Sequence, residues 1–158
     1  MGTGTGRIGL ELVKKQIFYT GVEKQSKFLD AFRTKLNKLS SYNLNNITLL
    51  NCSFENISEE HKFDIIIFPW TVMGDFSRSE QHSILIQAYK NLREGGVCLI
   101  DNPSKNQRYN QMRQYKPTHF YYIDWFKIFN KIGFEHKSYI YNTKTNKERE
   151  LIILKKTD

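Results

Sequence analysis

The sequence predicts an α/β fold: a doubly wound, mostly parallel sheet that ends in an antiparallel hairpin. Short apolar runs typical of buried strands alternate with segments whose apolar residues recur at helical spacing. The last two strand-like runs instead flank a polar turn at 142–149, which is the pattern of a hairpin. A length of 158 residues, of which 39% are hydrophobic and 25% charged, predicts a single domain over residues 1–158.

The first half of the chain predicts two helices, each followed by a strand. A helix over residues 8–15 leads into an apolar, β-rich run at 16–22. Apolar residues then recur at helical spacing through 26–39, and residues 47–50 are again strand-like. This alternation is typical of a parallel sheet covered by helices on both faces.

The second half continues the alternation. Residues 63–68 form a near-continuous apolar run, as expected of a strand buried on both faces. Ser77 and Glu80 have the spacing of a capping box that opens a helix through residue 92, and Gly95 and Gly96 are expected to stop it. Residues 97–100 then predict another buried strand.

The C-terminal part predicts one more helix and the hairpin. The helix covers residues 123–132 and is expected to end at Gly133 as its C-terminal cap. Strands at 134–141 and 151–154 follow it, and these add antiparallel edge strands to the sheet.

Composition excludes several classes of protein. No apolar run approaches the length of a membrane span, so a soluble, cytoplasmic protein without membrane association is expected. Cys52 and Cys98 both lie in apolar, strand-like runs and are expected to be buried, reduced thiols. The four histidines are scattered, so no metal site is expected.

The positive charge leaves a nucleic-acid partner open without favouring it. The formal net charge is +8 and the pI about 9.4. Lysines are spread over every predicted helix face, whereas nucleic-acid binding usually requires a clustered stripe.

A glycine-rich loop opens the chain and predicts a nucleoside site. The residues at 2–9 read Gly-Thr-Gly-Thr-Gly-Arg-Ile-Gly directly before a predicted helix, whose N-terminus offers unpaired N–H groups. Glu23 ends the next strand, where an acidic residue can accept bonds from both ribose hydroxyls. Ligands of such sheets bind at the carboxyl ends of the strands, which is where both features lie.

Five segments in order resemble the motifs of class I, Rossmann-like S-adenosylmethionine-dependent methyltransferases. They are the glycine loop at 2–9, Thr-Gly-Val-Glu-Lys-Gln-Ser at 20–26, Leu-Leu-Asn-Cys-Ser-Phe-Glu-Asn at 49–56, Phe-Asp-Ile-Ile-Ile-Phe at 63–68 and Leu-Arg-Glu-Gly-Gly-Val-Cys-Leu-Ile-Asp at 92–101. The resemblance covers nearly the whole chain, and the Arg-Glu-Gly-Gly turn is particularly typical. It implies S-adenosylmethionine as cofactor and methyl transfer as activity.

The resemblance also assigns roles to residues of the cofactor site. The loop residues Gly2, Thr3, Gly4 and Gly6 would lie against the methionine part of the cofactor, and Glu23 would hold the ribose.

Further assignments follow along the chain. Lys24 would flank the adenine, and Phe54 would reach the ring through its backbone N–H. Ser53 stands where the family often has an acidic residue that meets the adenine amino group. Phe68 and Pro69 would face the methionine end and the transferred methyl group.

The acceptor is expected on the far side of that methyl group. Trp70 and Met73 are expected to wall the substrate pocket, with ordinary packing as the equal alternative. Tyr115 and Tyr122 lie in the family's variable substrate region, and His119 is the histidine there and the candidate catalytic base.

The chain departs from the family at its start. The family has its first, central strand directly before the glycine loop, where this sequence has Met1. An N-terminally truncated domain is therefore expected. Three explanations stay open. The chain is a fragment or its start is misassigned; another chain, or a second copy of this one, donates the strand; or the strands around the gap pair directly.

Methyl transfer to a small-molecule acceptor is the predicted function. The segment Phe-Pro-Trp-Thr at 68–71 differs from the motif of enzymes that methylate exocyclic base amines, and no Pro-Cys nucleophile motif occurs. An RNA-modifying methyltransferase is one alternative. A non-catalytic remnant that needs or binds a partner chain is the other.

Overall fold

A computed structural model describes residues 2–39, 42, 44–58, 62–104 and 122–157, without the side chains of 122–124. Its helices are α1 (Arg7–Lys14), α2 (Ser26–Leu36), α3 (Arg78–Asn91) and α4 (Tyr122–Ile132). Its strands are β1 (Tyr19–Val22), β2 (Ile47–Leu50), β3 (Phe63–Phe68), β4 (Leu92–Pro103), β5 (Phe134–Asn142) and β6 (Glu148–Lys156). Among the described residues, no helix is long and apolar enough to cross a membrane.

The strands form two hydrogen-bonded sheets, one in each of two compact units, Met1–Ile57 and Ser58–Asp158. β1 and β2 pair in parallel in the first unit. The second sheet has the order β3-β4-β6-β5, with β3 and β4 parallel and the C-terminal hairpin antiparallel. The α/β class and the hairpin are therefore confirmed.

The core of the first unit is built around Phe32. Apolar residues on one face of α2 recur at helical spacing, and Phe32 and Leu36 pack with Val13 of α1. The ring of Tyr19 meets that of Phe32 edge to face, with centroids 6.2 Å apart. Helices α1 and α2 are thereby fixed against the first strand.

Strand β1 begins three residues later than the sequence predicts. The backbone N–H groups of Lys15 and Ile17 both donate to the carbonyl of Leu12, so a hydrogen-bonded turn follows the end of α1. Gln16 takes a left-handed φ of 59° to make this turn. Extended backbone starts only after the turn is complete.

The core of the second unit lies between its sheet and helices α3 and α4. Alternate residues of β4 and β6 point to this side, and Cys98, Ile100, Ile152 and Leu154 are buried there. The capping box at the start of α3 is confirmed, since Glu80 N–H donates to the Ser77 hydroxyl and Ser77 N–H to the Glu80 carboxylate. Gly133, at a φ of 108°, caps α4 as predicted.

Gly95 and Gly96 do not stop helix α3. The helix ends at Asn91, and both glycines lie inside β4. The register between β3 and β4 shifts at this point, from Phe63 beside Leu92 to Ile65 beside Val97, and Gly95 has a φ of 71°. The glycines therefore supply the irregularity that lets β4 pair with β3 on both sides of the shift.

One of the two cysteine predictions is wrong. Cys98 is buried in β4, and burial raises the pKa of its thiol. Cys52 is only half-buried, because β2 ends at Leu50 and the chain bends at residue 52.

A glycine substitution tests the packing around Phe32. A Cβ at Gly6 would lie 2.1 Å from the Phe32 ring, and Gly6 has a φ of 85°. We expect Gly6→Ala to lower the free energy of unfolding by about 2–5 kcal/mol, from left-handed strain plus overpacking. Gly4, with a φ of 52°, has nothing within 4 Å of such a Cβ. Gly4→Ala should cost only about 1–2 kcal/mol in urea denaturation, and equal losses would contradict the packing argument.

Candidate functional site

The glycine loop closes over the carboxyl end of β1. Thr3 N–H donates to the carbonyl of Val22 at 3.1 Å, and the Thr3 hydroxyl contacts that of Tyr19. Gly4 N–H donates to the Glu23 carboxylate at 3.0 Å. The structure therefore brings together the two features from which the sequence predicts a nucleoside site.

Glu23 holds two backbone segments through its two carboxylate oxygens. Oε2 accepts the bond from Gly4 N–H, and Oε1 accepts one from Gln25 N–H, also at 3.0 Å. Its own N–H donates to the carbonyl of Leu50, which fixes the residue at the end of the β1–β2 pair. A carboxylate has about four acceptor positions, so roughly two remain for a ligand. That number suits the two hydroxyls of a ribose.

Asn51 and Lys35 support this strand end, and the sequence patterns indicated neither. The Asn51 amide donates to the carbonyls of Glu23 and Lys24 at 2.8 and 3.0 Å. The Lys35 ammonium donates to the carbonyl and hydroxyl of Thr5 at 2.9 and 2.8 Å, and so ties the glycine loop to α2. Asn51 directly follows a strand, which is the signal that could have identified it.

The glycines of the loop are required for different structural reasons. Gly6 allows Phe32 to pack, because any side chain there would meet the ring. The described residues leave open space around a Cβ position at Gly4, so a ligand can approach that backbone closely. Gly2 also has a positive φ of 63°. Contact of these residues with a cofactor stays a prediction.

The adenine side of the predicted site follows β2. Ser53 and Phe54 begin a short 3-10 turn, in which Phe54 is buried and Ser53 half-buried. Lys24, after β1, is exposed. The Glu55 Oε2 in the same turn is buried and has no hydrogen-bond partner among the described residues. The paired strands β1 and β2 bring these residues to the same sheet edge as Glu23.

In the second unit, the residues after β3 leave the sheet in a strained loop. Phe68 and Met73 are buried, Pro69 is half-buried, and Trp70 is 57% exposed. Trp70 and Thr71 have φ values of 53° and 66°, a left-handed conformation that non-glycine residues rarely adopt.

Asp101 holds this loop in place, and the sequence analysis did not identify its role. Its carboxylate accepts bonds from the Trp70 N–H, the Tyr141 hydroxyl and the Arg149 Nε, at 3.1, 2.9 and 2.7 Å. Its backbone carbonyl accepts the Thr71 N–H at 2.8 Å. Burial and the bond to Asp101 raise the pKa of the Tyr141 hydroxyl.

Arg149 reinforces the same loop. Its Nη2 donates to the Thr71 hydroxyl at 3.2 Å, and its guanidinium lies over the Trp70 ring, 5.1 Å from the centroid. The side chains of both Arg149 and Asp101 are largely buried. A paired, hydrogen-bonded ion pair therefore offsets the strain at Trp70 and Thr71.

The remaining predicted site residues lie outside this geometry. His119 and Tyr115 fall outside the described residues. Tyr122 begins α4, but its side chain is also outside them. Their roles stay predictions. Among the described residues, no group of three or more histidine, cysteine or acidic side chains is placed to hold a metal ion.

Comparison with known proteins agrees with the motifs. Residues 1–96 match the sequence profile of a family described as a methyltransferase domain. No curated protein sequence matches the chain.

Solved structures share the fold at low identity. A methyltransferase from Clostridium acetobutylicum that depends on S-adenosylmethionine has a TM-score of 0.78 at 14% identity, over 99% of this chain and 82% of its own. The magnesium protoporphyrin IX methyltransferase from Synechocystis, with bound S-adenosylhomocysteine, has a TM-score of 0.77 at 15% identity, and the match covers 97% of this chain and 71% of that one. A Methanosarcina mazei protein described as a methyltransferase dependent on S-adenosylmethionine has a TM-score of 0.74 at 17% identity, and the match covers 99% of this chain and 90% of that one.

Removing the charge of Asp101 tests how the loop is held. We expect Asp101→Asn to lower the free energy of unfolding by about 2–4 kcal/mol, because it leaves the largely buried Arg149 guanidinium without its anionic partner. Asp64→Asn is the matched control, since Asp64 pairs with Arg93 at 3.0 Å on the exposed surface. It should cost about 0–1 kcal/mol in urea denaturation. Similar losses for the two variants would show that the Asp101 pair does not stabilise the unit.

Proposed function

The chain belongs to the methyltransferase domain family, and we propose that it transfers a methyl group from S-adenosylmethionine to a small-molecule acceptor. The observation that carries the proposal is the Glu23 carboxylate, bound to the Gly4 N–H at the carboxyl end of β1. A nucleoside with two free ribose hydroxyls matches its remaining acceptor positions.

The residues of the first unit fit the cofactor. Glu23 would accept the ribose hydroxyls, and the backbone around Gly4 is open enough for a ligand to lie against it. Ser53 and Phe54 would meet the adenine from the adjoining strand end, with Lys24 beside it. Ser53 can still accept a bond from the adenine amino group, although a hydroxyl is a weaker acceptor than a carboxylate.

When bound, S-adenosylmethionine supplies an electrophilic methyl group on a sulfonium sulfur. The acceptor atom would supply the electron pair of its new bond to the methyl carbon, and the sulfur would keep the electrons of the carbon–sulfur bond, leaving S-adenosylhomocysteine. The protein contributes alignment and exclusion of water. Phe68 and Pro69 are the residues we assign to the methyl end, and Trp70 and Met73 to the acceptor side. An oxygen nucleophile would also need a base, for which His119 is the candidate.

Two observations support a small-molecule acceptor. The Synechocystis protein, which shares the fold, is named for a porphyrin acceptor. Two lysines of the first unit are engaged in local contacts: Lys14 pairs with Glu11 and Lys35 with Thr5. The basic residues are also spread along the sequence, whereas RNA binding favours a clustered stripe.

Binding of S-adenosylhomocysteine tests the cofactor site. We expect micromolar affinity by isothermal titration calorimetry, and a loss of about tenfold or more in Glu23→Ala, because a hydrogen bond to a charged acceptor contributes about 1.5–3 kcal/mol. Glu11→Gln is the matched control, since Glu11 is an exposed carboxylate of the same unit that pairs with its helix neighbour Lys14.

Folding of each variant is checked by circular dichroism, because Glu23 also holds Gly4 and Gln25. A folded chain that binds no S-adenosylhomocysteine would contradict the proposal and favour the non-catalytic alternative.

A further inference from the structure

Asn102 is a buried amide that the described residues leave unsatisfied. It lies near the carboxyl end of β4, and its side chain is 1% exposed. Neither its Oδ1 nor its Nδ2 has a hydrogen-bond partner in the described part of the chain. Burial of a donor and an acceptor without partners is destabilising, and folded proteins rarely retain it without a reason.

The other buried amides of the same unit each donate and accept hydrogen bonds. Gln81 donates to the carbonyls of Met73 and Phe76, and its Oε1 accepts a bond from the Trp125 indole at 2.9 Å. Asn91 donates to the Ser58 carbonyl and accepts from Gln87, each at 2.8 Å. This unit therefore satisfies its buried amides elsewhere, and Asn102 is the exception among the described residues.

The position of Asn102 connects it to the predicted methyl end. Ile100 lies beside Phe68 in the parallel pair of β3 and β4, and Asn102 is two residues further on the same face of the strand. Across the antiparallel pair it lies opposite Glu150, which is also buried. The amide thus lies at the strand end where ligands of such sheets bind, two residues along β4 from the position paired with Phe68.

We propose that Asn102 recognises the methyl acceptor, and that the acceptor carries a carboxamide or lactam edge. An asparagine amide presents one acceptor and donor N–H groups in one plane, so a group with a donor and an acceptor side by side satisfies both. This inference rests on the proposed function, because it assigns the acceptor side of the same site. The site would discriminate among methyl acceptors, because an acceptor without that edge leaves the buried amide of Asn102 without hydrogen-bond partners.

Replacing the amide by a hydrocarbon of similar shape separates a ligand-binding role from a structural one. We expect Asn102→Leu to raise the thermal midpoint of the ligand-free protein by about 2–6 °C, because it removes unsatisfied polar atoms. The matched control is Asn91→Leu, which removes a bonded amide and should lower the midpoint. A midpoint for Asn102→Leu that falls like that of Asn91→Leu would overturn the proposal, since the amide would then have an internal partner.

A minimal probe tests the chemical class of the ligand. Acetamide carries the proposed edge, whereas acetone has nearly the same shape but no N–H donors. We expect acetamide to shift the Asn102 side-chain NH₂ resonances of the ¹⁵N-labelled protein saturably, with S-adenosylhomocysteine present. Acetone should shift them at least about fivefold less. The resonances are assigned from their absence in Asn102→Leu, and the Asn91 resonances serve as the internal control.

The outcomes distinguish this proposal from the proposed function. Selective, saturable shifts at Asn102 support it, whereas equal shifts by both probes, or none, overturn it. Calorimetry on the same sample reports whether S-adenosylhomocysteine binds. Binding of S-adenosylhomocysteine without the selective shifts contradicts only the role of Asn102, and selective shifts without such binding contradict the proposed function.

Discussion

The Glu23 carboxylate joins the glycine loop to the residue before α2, and the geometry of the first unit's strand end depends on it. Its position is set by the last backbone bond between β1 and β2, so it needs no loop to orient it. Each of its oxygens then fixes one backbone N–H. Such bonds to a charged acceptor are stronger than neutral ones, which suits a loop whose glycines would otherwise leave it free to move.

A second carboxylate acts in the same way at the end of β4, with a different consequence. Asp101 accepts bonds from Trp70, Tyr141 and Arg149, and these hold two consecutive left-handed residues in place. The Glu23 carboxylate accepts two bonds and keeps acceptor positions for a ligand, whereas the Asp101 carboxylate accepts three bonds from groups of the protein itself. Within its unit, Asp101 is therefore a positioning residue for the exposed Trp70 ring.

The sequence predicted the features that depend on local order along the chain. Helix periodicity, the Ser77 capping box and the Gly133 cap all follow from short spacings, and the structure confirms them. The sequence also assigned Glu23 and the glycine loop to one site; a hydrogen bond from Gly4 N–H joins them, and their contact with a cofactor stays a prediction. Asp101 and Arg149 were missed because they are 48 residues apart, and only the pairing of β4 with β6 brings them together. The same non-local pairing explains Gly95 and Gly96, whose role depends on the register with β3.

Hydrogen-bond satisfaction separates the polar groups that maintain the fold from those available to a ligand. Gln81 and Asn91 have their bonds inside the second unit, so they contribute to stability and offer nothing to bind. The unpaired amide of Asn102 lowers the stability of the ligand-free protein, and in our proposal the methyl acceptor supplies the missing hydrogen bonds. The carboxylate of its sequence neighbour Asp101 instead accepts three bonds from within the protein, although the two residues lie next to each other on one strand. Because successive side chains of a strand point to opposite faces of the sheet, Asp101 and Asn102 lie on opposite faces of β4. The same rigid strand therefore holds the loop through Asp101 and carries the unpaired amide of Asn102 on its other face.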